Sequence, residues 1–221
     1  MRTATDLLSQ YAAYHRDRRN IVSHLVGVPM IVFAIGVLLA RPSVPLAGFL
    51  ITPAWVVFAL AAAWYLTRGS VILGLAVSVV VGLLMLFAHK VETSWIAWGV
   101  GFFVVGWVIQ FVGHWYEGKK PAFVDDLVGL LVGPMFIVAE AMFALGWNRP
   151  LLDEIERRVG PTVLRDLAKI ARADRASGRC PAGLSAPAMP VATQPESQLP
   201  TPAATTGLAG SGCASKRSLP Q

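Results

Sequence analysis

The chain has 221 residues, of which 55% are hydrophobic and only 14% are charged, whereas a soluble domain usually carries about 25% charged residues. Basic residues lie at the ends of apolar segments and near the C terminus, so the net charge of +6 indicates contact with a membrane surface and excludes nucleic acid as the expected partner. Cys180 and Cys213 are too few for a disulfide framework or a thiolate metal site.

Five long apolar segments dominate the chain, after a polar N-terminal stretch that lacks the short apolar core of a signal peptide. Each segment has close to the roughly 20 residues that cross a hydrocarbon core. The pattern predicts an all-α fold, a polytopic transmembrane helix bundle in which four to five apolar segments cross the lipid bilayer. The segments are 21–40, 44–66, 70–88, 95–113 and 127–147.

Basic residues place both chain ends on the cytoplasmic side, with four Lys and Arg in residues 1–20 and eight in residues 149–179. Termini on one side require an even number of crossings, whereas the chain has five apolar segments. Either one segment does not fully cross, or the C-terminal charges do not decide the topology. Segments 1, 2 and 5 contain Pro29, Pro53 and Pro134, so each is a candidate for a bent or re-entrant path.

The character of the chain changes after the fifth apolar segment. Residues 151–176 have the apolar spacing of two short amphipathic helices, divided at Gly160 and Pro161. From Ser177 onward, small and polar residues dominate, and this composition predicts a disordered tail because it buries too little apolar surface to fold. The predicted division is a membrane domain over 1–150, cytoplasmic amphipathic helices over 151–176 and the tail over 177–221.

All four histidines lie at or beside the ends of apolar segments, namely His15, His24, His89 and His114. Imidazole is the commonest neutral metal ligand, and ionisable groups in membrane segments are candidates for function. If the N terminus is cytoplasmic and four segments cross, three of these histidines emerge on the cytoplasmic face and His89 on the opposite one. One histidine alone is more commonly a polar residue at headgroup level, whereas three on one face suffice for an iron site with room for oxygen and substrate.

His15 and His24 are nine residues apart, so on one continuous helix they would point about 180° apart. They converge only if the chain turns between them. Asn20 is a good helix N-cap, which favours a turn over residues 18–20 and a helix that begins at Ile21.

His114 and Glu117 are three residues apart and share a helix face if the fourth segment continues past Gly113. This pairing suits a metal ligand with a hydrogen-bonded carboxylate, or two ligands of one ion. Imidazole and carboxylate donors with open positions are typical of non-haem Fe(II) sites that use oxygen.

Several charged residues have both a structural and a functional interpretation. Glu140 is the one charge of the fifth segment, where it either pairs with a neighbouring helix or contacts substrate or metal. Arg19, Lys119 and Lys120 lie on the predicted histidine face. They serve there as interfacial anchors, or they bind a substrate carboxylate.

Three features resemble one known family in their order and spacing. They are YHRDRRNIVSHLVGVP at 14–29, the lone His89, and QFVGHWYEGKKPAF at 110–123 followed by VDDLVGLLVGPMFIVAE. The chain resembles, over about residues 5–150, a family of small membrane proteins represented by metal-dependent 2-hydroxy fatty acid dioxygenases of fatty acid α-oxidation. It departs from some relatives at Arg16, where they carry a second histidine beside the first.

The resemblance implies an Fe(2+)-dependent enzyme that uses O2 to cleave between C1 and C2 of a long-chain 2-hydroxy fatty acid, giving an acid one carbon shorter. It implies that all four histidines belong to the metal site. The other positions in matching places are Asn20, Glu117, Asp125 and Glu140.

Two further interpretations remain at the level of the sequence. One is a small transporter or scaffold without enzymatic activity, against which the chain shows no clear internal repeat. The other is a di-iron hydroxylase or desaturase. Enzymes of that kind resemble one another in short histidine-rich motifs with about twice as many histidines as this chain has, and the four widely spaced histidines here do not supply such motifs. The Ala-, Gly- and Arg-rich composition favours a bacterial inner membrane over an endoplasmic reticulum membrane.

Overall fold

The computed structural model describes residues 2–41, 43–46, 49–119 and 128–167, all within one compact unit over Met1–Ala186. The described elements are α1 Ala4–Ala12, α2 Arg18–Leu39, β1 Val44–Leu46, β2 Phe49–Ile51, α3 Pro53–Leu66, α4 Val71–His89, α5 Trp95–Glu117, α6 Val128–Ala144 and α7 Arg149–Val159. Several predictions concern positions that lie outside these residues, namely Cys180, Cys213, Lys120, Asp125 and the tail over 177–221.

Among the described helices, three are long and apolar enough to cross a bilayer, namely α2 with 22 residues, α4 with 19 and α5 with 23. The number rises to four if α6 and α7, which meet at a bend of 117°, form one broken span. Large apolar side chains such as Leu75, Phe87 and Phe111 are exposed on these helices, as a lipid-facing surface requires. The predicted all-α polytopic bundle is therefore confirmed.

The second apolar segment, which Pro53 made a candidate for a bent path, is not one continuous helix. Its first part forms a two-stranded antiparallel hairpin in which Val44 pairs with Ile51, and α3 begins only at Pro53. Proline has no backbone N–H and a fixed φ, so Pro53 suits the first position of a helix and not its interior. The remaining helix has 14 residues, which is shorter than a bilayer span.

The polar N-terminal stretch forms an amphipathic helix that packs on the bundle. Thr3 and Asp6 form a capping box at the start of α1, and Leu7, Leu8 and Tyr11 are buried on its inner face. The Ala4 amide donates a 2.8 Å hydrogen bond to the carbonyl of Arg68, just ahead of α4. Helix α1 therefore lies at the end of the bundle where α2 begins and α5 finishes.

Helices α2 and α5 form the most extensive helix pair and carry two of the predicted site histidines. Their backbones approach closely because glycines face each other. A β-carbon on Gly27 would lie 2.9 Å from the carbonyl oxygen of Gly106, and one on Gly106 would lie 2.7 Å from Ile31 Cγ1. Small residues allow this approach inside a membrane, where dispersion contacts replace the hydrophobic effect between helices.

The residues after α7 return to the turn between α1 and α2. Helix α7 ends at Val159 with Gly160 as its C-cap, which is the predicted division, and residues 161–166 are not helical. Leu167 is helical again, and the rest of the predicted second helix lies outside the described residues. The Val163 amide donates to the Arg16 carbonyl at 2.8 Å, and its own carbonyl accepts from the Arg18 amide at 2.9 Å. This segment, residues 160–166, is called the strap below.

Candidate metal centre

A short turn between α1 and α2 brings the first two histidines together. Helix α2 begins at Arg18, with Asp17 as its N-cap, because Asp17 Oδ1 accepts from the Arg19 amide at 2.9 Å. The prediction of a turn between His15 and His24 is confirmed. The prediction of Asn20 as N-cap is wrong, since an aspartate three residues earlier satisfies the first free amide groups of the helix.

Three buried imidazoles converge from three helical regions. His15 follows α1, His24 lies on α2 and His114 lies on α5, and their exposed fractions are 0%, 2% and 6%. One candidate ligand atom from each lies within 4.8 Å of the other two. His15 Nε2 and His24 Nε2 are 3.0 Å apart. The structure thus forms, among the described residues, a group with metal-ligand geometry.

The hydrogen bonds of the two rings fix their tautomers. His15 Nδ1 lies 2.7 Å from the Tyr11 carbonyl, and His24 Nδ1 lies 2.9 Å from the Asn20 carbonyl. Because a carbonyl oxygen only accepts, each Nδ1 carries the proton, and each Nε2 of a neutral ring presents a lone pair. Two lone pairs that face each other at 3.0 Å repel, and a cation bound by both removes that repulsion.

Burial keeps the first imidazole neutral. Loss of solvation lowers the pKa of the His15 ring well below its ordinary value, and the nearby rings of His24 and His114 lower it further. A neutral imidazole is the form that binds a metal, so this environment favours coordination over protonation.

His114 supplies the third donor. Its Nδ1 is buried and has no hydrogen-bond partner among the described residues. An unpaired buried nitrogen costs about 1–3 kcal/mol unless something binds it, and a metal ion would do so. The donor set therefore fits a first-row metal ion, because imidazole suits iron, copper, nickel and zinc.

Glu117 positions the turn and is not itself within the three-histidine group. Its Oε2 accepts from the Asp17 amide at 2.7 Å and from Asn20 Nδ2 at 3.3 Å. The Asn20 carbonyl, in turn, accepts from the His24 ring. The predicted sharing of one helix end by His114 and Glu117 is observed, and the carboxylate connects α5 to the turn that carries the other ligands.

Replacing Glu117 by alanine should destabilise the protein, because the amide of Asp17 and the side chain of Asn20 would lose a buried acceptor. Two unpaired buried donors cost about 3 kcal/mol together, which lowers the melting temperature of a chain of this size by roughly 6–12 °C. Thermal unfolding in detergent measures this, with the exposed Glu92→Ala as the matched control. Equal melting temperatures for the two variants would contradict the positioning role.

Asp17 and Arg19 form a second buried network beside the histidines. Arg19 Nε and Nη2 donate to Asp17 at 3.0 and 2.7 Å, and the guanidinium lies 4.5 Å from the centre of the Tyr116 ring. Hydrogen bonds from Arg19 lower the pKa of the Asp17 carboxyl to about 2, against the opposing effect of burial. Asp17 Oδ2 also accepts from the Arg165 amide of the strap at 3.0 Å. Arg19 therefore has protein partners, and its substrate role stays a prediction.

The other charged candidates lie outside the three-histidine group. Lys119 Nζ donates to the Ala13 carbonyl at 2.7 Å. Glu140, half-buried on α6, interacts electrostatically with Arg16 and Glu156. Arg16 also donates from Nη1 to the Gly160 carbonyl at 2.8 Å, and burial lowers the pKa of its guanidinium. The predicted roles of Lys119 and Glu140 in chemistry stay predictions.

The structure does not bring His89 to the other histidines. Its Nδ1 donates to the Met85 carbonyl at 2.7 Å, its Nε2 lies 3.0 Å from Thr52 Oγ1, and its ring stacks on Trp55. His89 ends α4, whereas His114 lies near the far end of α5, about 28 Å along the helix from its start. The opposite-face position that topology predicts is the one observed.

An apolar cavity of about 300 Å³ extends from the histidines between α2, α5 and α6. On α2 its lining runs from His24 to Ile35, which is about 16 Å along the helix axis. Two polar residues absent from the sequence predictions belong to the site. Tyr11 stacks on His15 with ring centres 4.1 Å apart, and Gln110 lines the cavity one turn before His114. Spacing of four residues from a histidine on a helix is the signal that could have identified both.

Comparison with known proteins assigns the chain to a family. A family model described as Mpo1-like, 2-hydroxy-palmitic acid dioxygenase Mpo1-like, matches residues 1–145. The chain belongs to the Mpo1-like family. The 2-hydroxy-palmitic acid dioxygenase MPO1 of Saccharomyces cerevisiae is 34% identical over 157 residues, which cover 68% of this chain and 88% of the yeast protein. No solved structure matches the chain.

The Mpo1-like region contains all three converging histidines and the whole cavity lining, whereas α7 and the strap lie beyond it. The resemblance predicted from the sequence is confirmed. The apolar helices also confirm an integral membrane protein. Because the matching Mpo1-like relative is a yeast protein, the comparison gives no support to the predicted bacterial inner membrane.

Proposed function

We propose that the chain is a membrane-embedded dioxygenase that acts on long-chain 2-hydroxy fatty acids. The observation that carries the proposal is a group of three buried imidazoles, two of which, His24 and His114, line an apolar cavity. A fatty acid has the matching shape, with a polar head that reaches the histidines and an alkyl chain that fills the cavity. The name of the yeast relative supports the same substrate class.

Iron is the metal that the family resemblance implies, and the three-histidine donor set is compatible with it. Imidazole ligands suit both zinc and iron, but zinc has no redox chemistry and does not activate oxygen. Fe(2+) held by His15, His24 and His114 would supply Lewis acidity and electron transfer to O2 beside the bond that is cleaved.

The protein side of the mechanism is binding, orientation and exclusion of water. Tyr11 and the Asn20 carbonyl hold the His15 and His24 rings in the tautomer that leaves Nε2 free. Glu117 holds the turn that carries both groups. Apolar side chains of α2 and α5 take the alkyl chain out of water and fix its head at the histidines.

The reaction cleaves the C1–C2 bond and yields a fatty acid one carbon shorter. Atoms and electrons balance when R–CH(OH)–COOH and O2 give R–COOH, CO2 and water. The oxidant is O2, which takes up the four electrons lost by the two carbons. CO2 and water then leave the site, while the shorter acid returns to the bilayer.

The alternative of a transporter or scaffold has less support. A buried group of three histidines is costly inside a membrane protein unless it serves chemistry or metal binding. Localisation in a bacterial inner membrane or an endoplasmic reticulum membrane stays a prediction from composition.

The purified full chain is expected to contain stoichiometric iron and to convert 2-hydroxypalmitate into pentadecanoate in the presence of O2. Metal analysis and mass spectrometry of the lipid products measure both, with palmitate and an anaerobic reaction as controls. Absence of iron, together with absence of shortened product after anaerobic reloading with Fe(2+) and return to O2, would overturn the proposed function.

A further inference from the structure

Gln110 is a buried polar residue that neither the metal nor the helix bundle accounts for. It is 6% exposed and lines the apolar cavity together with His24 and His114. It lies on α5 one turn before His114, about 6 Å earlier along the helix axis. Its side chain therefore points to the cavity immediately beside the histidines.

Packing makes room for this side chain. A β-carbon on Gly27 of α2 would lie 3.1 Å from Gln110 Cγ, closer than a side chain is ordinarily accommodated. The glycine thus leaves the space that the stem of Gln110 occupies. The amide is held in place between α2 and α5 and does not turn out toward the lipid.

The amide oxygen of Gln110 lacks a partner. Gln110 Oε1 is buried and accepts no hydrogen bond from any residue that the structure describes. A buried unpaired acceptor costs free energy, and native proteins keep few of them. The cavity wall near Gln110 carries apolar side chains such as Val28, and the two donor groups that also line it, the Tyr11 hydroxyl and the Trp107 indole N–H, do not bond to this oxygen in the structure. A molecule bound in the cavity can therefore supply the missing donor.

We propose that Gln110 Oε1 accepts a hydrogen bond from the 2-hydroxyl group of the bound fatty acid and thereby selects hydroxylated over unsubstituted chains. This inference rests on the proposed function and adds to it the residue that recognises the substrate hydroxyl. An ionised carboxylate has no hydrogen to donate, and an alkyl chain has none either. The hydroxyl on carbon 2 is the one group of this substrate class that satisfies the amide oxygen.

The position of Gln110 suits carbon 2. The carboxylate belongs at the histidine end of the cavity, with the metal that the histidines would bind, and carbon 2 is the next atom along the chain. A site built to hydrogen-bond a substrate hydroxyl discriminates against the molecule that lacks it, because the buried acceptor is then left unpaired.

Ligand binding without turnover tests the inference. Palmitate, 2-hydroxypalmitate and 2-fluoropalmitate displace a fluorescent fatty acid from the metal-free full chain in detergent, in the wild type and in Gln110→Leu. The wild type is expected to prefer the hydroxy acid over both other ligands by roughly three- to tenfold, the effect of one hydrogen bond. Gln110→Leu should lose that preference and retain its affinity for palmitate.

Gln10→Leu is the matched control, because Gln10 is exposed on α1 and bonds to Arg2 at 2.9 Å. It should retain the preference of the wild type. The 2-fluoro ligand tests the wild type alone, since fluorine has nearly the size of a hydroxyl but donates no hydrogen bond. Wild-type binding of 2-fluoropalmitate as tight as that of 2-hydroxypalmitate would overturn the inference even if Gln110→Leu does not fold.

The two proposals fail in different ways. If the wild type shortens 2-hydroxypalmitate and Gln110→Leu binds the three ligands with the wild-type preference, the role of Gln110 is wrong and the proposed function stands. If the preference depends on Gln110 but the iron-loaded wild type forms no shortened product, the hydroxyl contact stands and the dioxygenase function is wrong. An equal loss of affinity for all three ligands in Gln110→Leu assigns the residue to packing and overturns the inference.

Discussion

Replacing His24 by alanine is expected to abolish metal binding and to lower the shortening of 2-hydroxypalmitate by at least about a hundredfold. Loss of a residue that only orients a ligand already costs about 10–100-fold in metal affinity or activity, so loss of a ligand in a three-histidine set costs more. Metal analysis of the purified variant and a product assay measure the two effects.

The same variant makes a prediction for the metal-free protein. His15 Nε2 and His24 Nε2 face each other at 3.0 Å, and both present lone pairs. Removing one ring removes their repulsion, so metal-free His24→Ala should lose less stability than its cavity and the freed Asn20 carbonyl would cost on their own. A metal-loaded wild type, by contrast, should melt above its metal-free form, because a ligand that binds the folded state stabilises it.

His89→Ala is the control for the metal content. Both ring nitrogens of His89 contact Met85 and Thr52, so the variant should retain the metal. If His89→Ala lost its iron while remaining folded, the four-histidine set implied by the family resemblance would be correct and the three-histidine centre incomplete. Retention of full metal content by His24→Ala would contradict the candidate centre itself.

Gly113→Ala should disrupt the centre without touching any ligand. A β-carbon at Gly113 would collide with Ser23 Oγ and would lie 2.6 Å from Asn20 Oδ1 and 3.0 Å from Ser23 Cβ, so these two side chains of α2, or the helix itself, would have to shift. Overpacking of this kind costs about 1–3 kcal/mol, and a shift of about 1 Å between His24 and His114 weakens a metal site whose donors must converge. We expect a melting temperature lower by roughly 2–12 °C and a metal affinity lower by on the order of tenfold or more.

Gly101→Ala provides the matched comparison on the same helix. A β-carbon at Gly101 has no other atom within 4 Å. Both substitutions gain the helix propensity of alanine, about 1 kcal/mol, so a difference between them reports the close approach alone. Gly101→Ala should retain the metal and melt at or slightly above the wild-type temperature. Indistinguishable metal affinities for the two variants would contradict the role of the α2–α5 contact.

The strap adds a connection that lies beyond the family-matched region. It joins the turn between α1 and α2 through Asp17 and Val163, and the Arg165 side chain bonds to the carbonyls of Tyr116 and Glu117. The residues after α7 therefore contact the same turn that carries His15. The predicted boundary at residue 150 does not separate this segment from the site.

The sequence by itself determined the class of protein and which side chains could act as imidazole ligands of a metal. Long uncharged segments require helices in a bilayer, because every backbone polar group must be satisfied within the chain. Only four of the 221 residues are histidines, so composition alone limited the candidates for an imidazole site to four side chains. Counting crossings also placed His89 on the face opposite to the other three, which is the arrangement observed.

Local rules failed where a neighbour in space decided the outcome. Asn20 is a good cap by residue type, but Asp17 takes that position because Arg19 and Arg165 satisfy its carboxylate. The apolar run over 44–66 carries no charge, and Pro53 marks where its helix begins but not that the residues before it form a hairpin. Apolar composition decides where a chain meets lipid and not which backbone conformation it adopts there.

Only the tertiary structure decided which of the candidate residues form a site. Glu117 is close in sequence to His114, yet its carboxylate binds the turn between α1 and α2. Gln110 lines the cavity, and its spacing of four residues from His114 does not by itself show that this helix face meets a cavity. The spacing of residues on one helix fixes which side chains share a face. Which faces meet depends on close contacts such as Gly27 with Gly106, and that is a property of how separate helices pack.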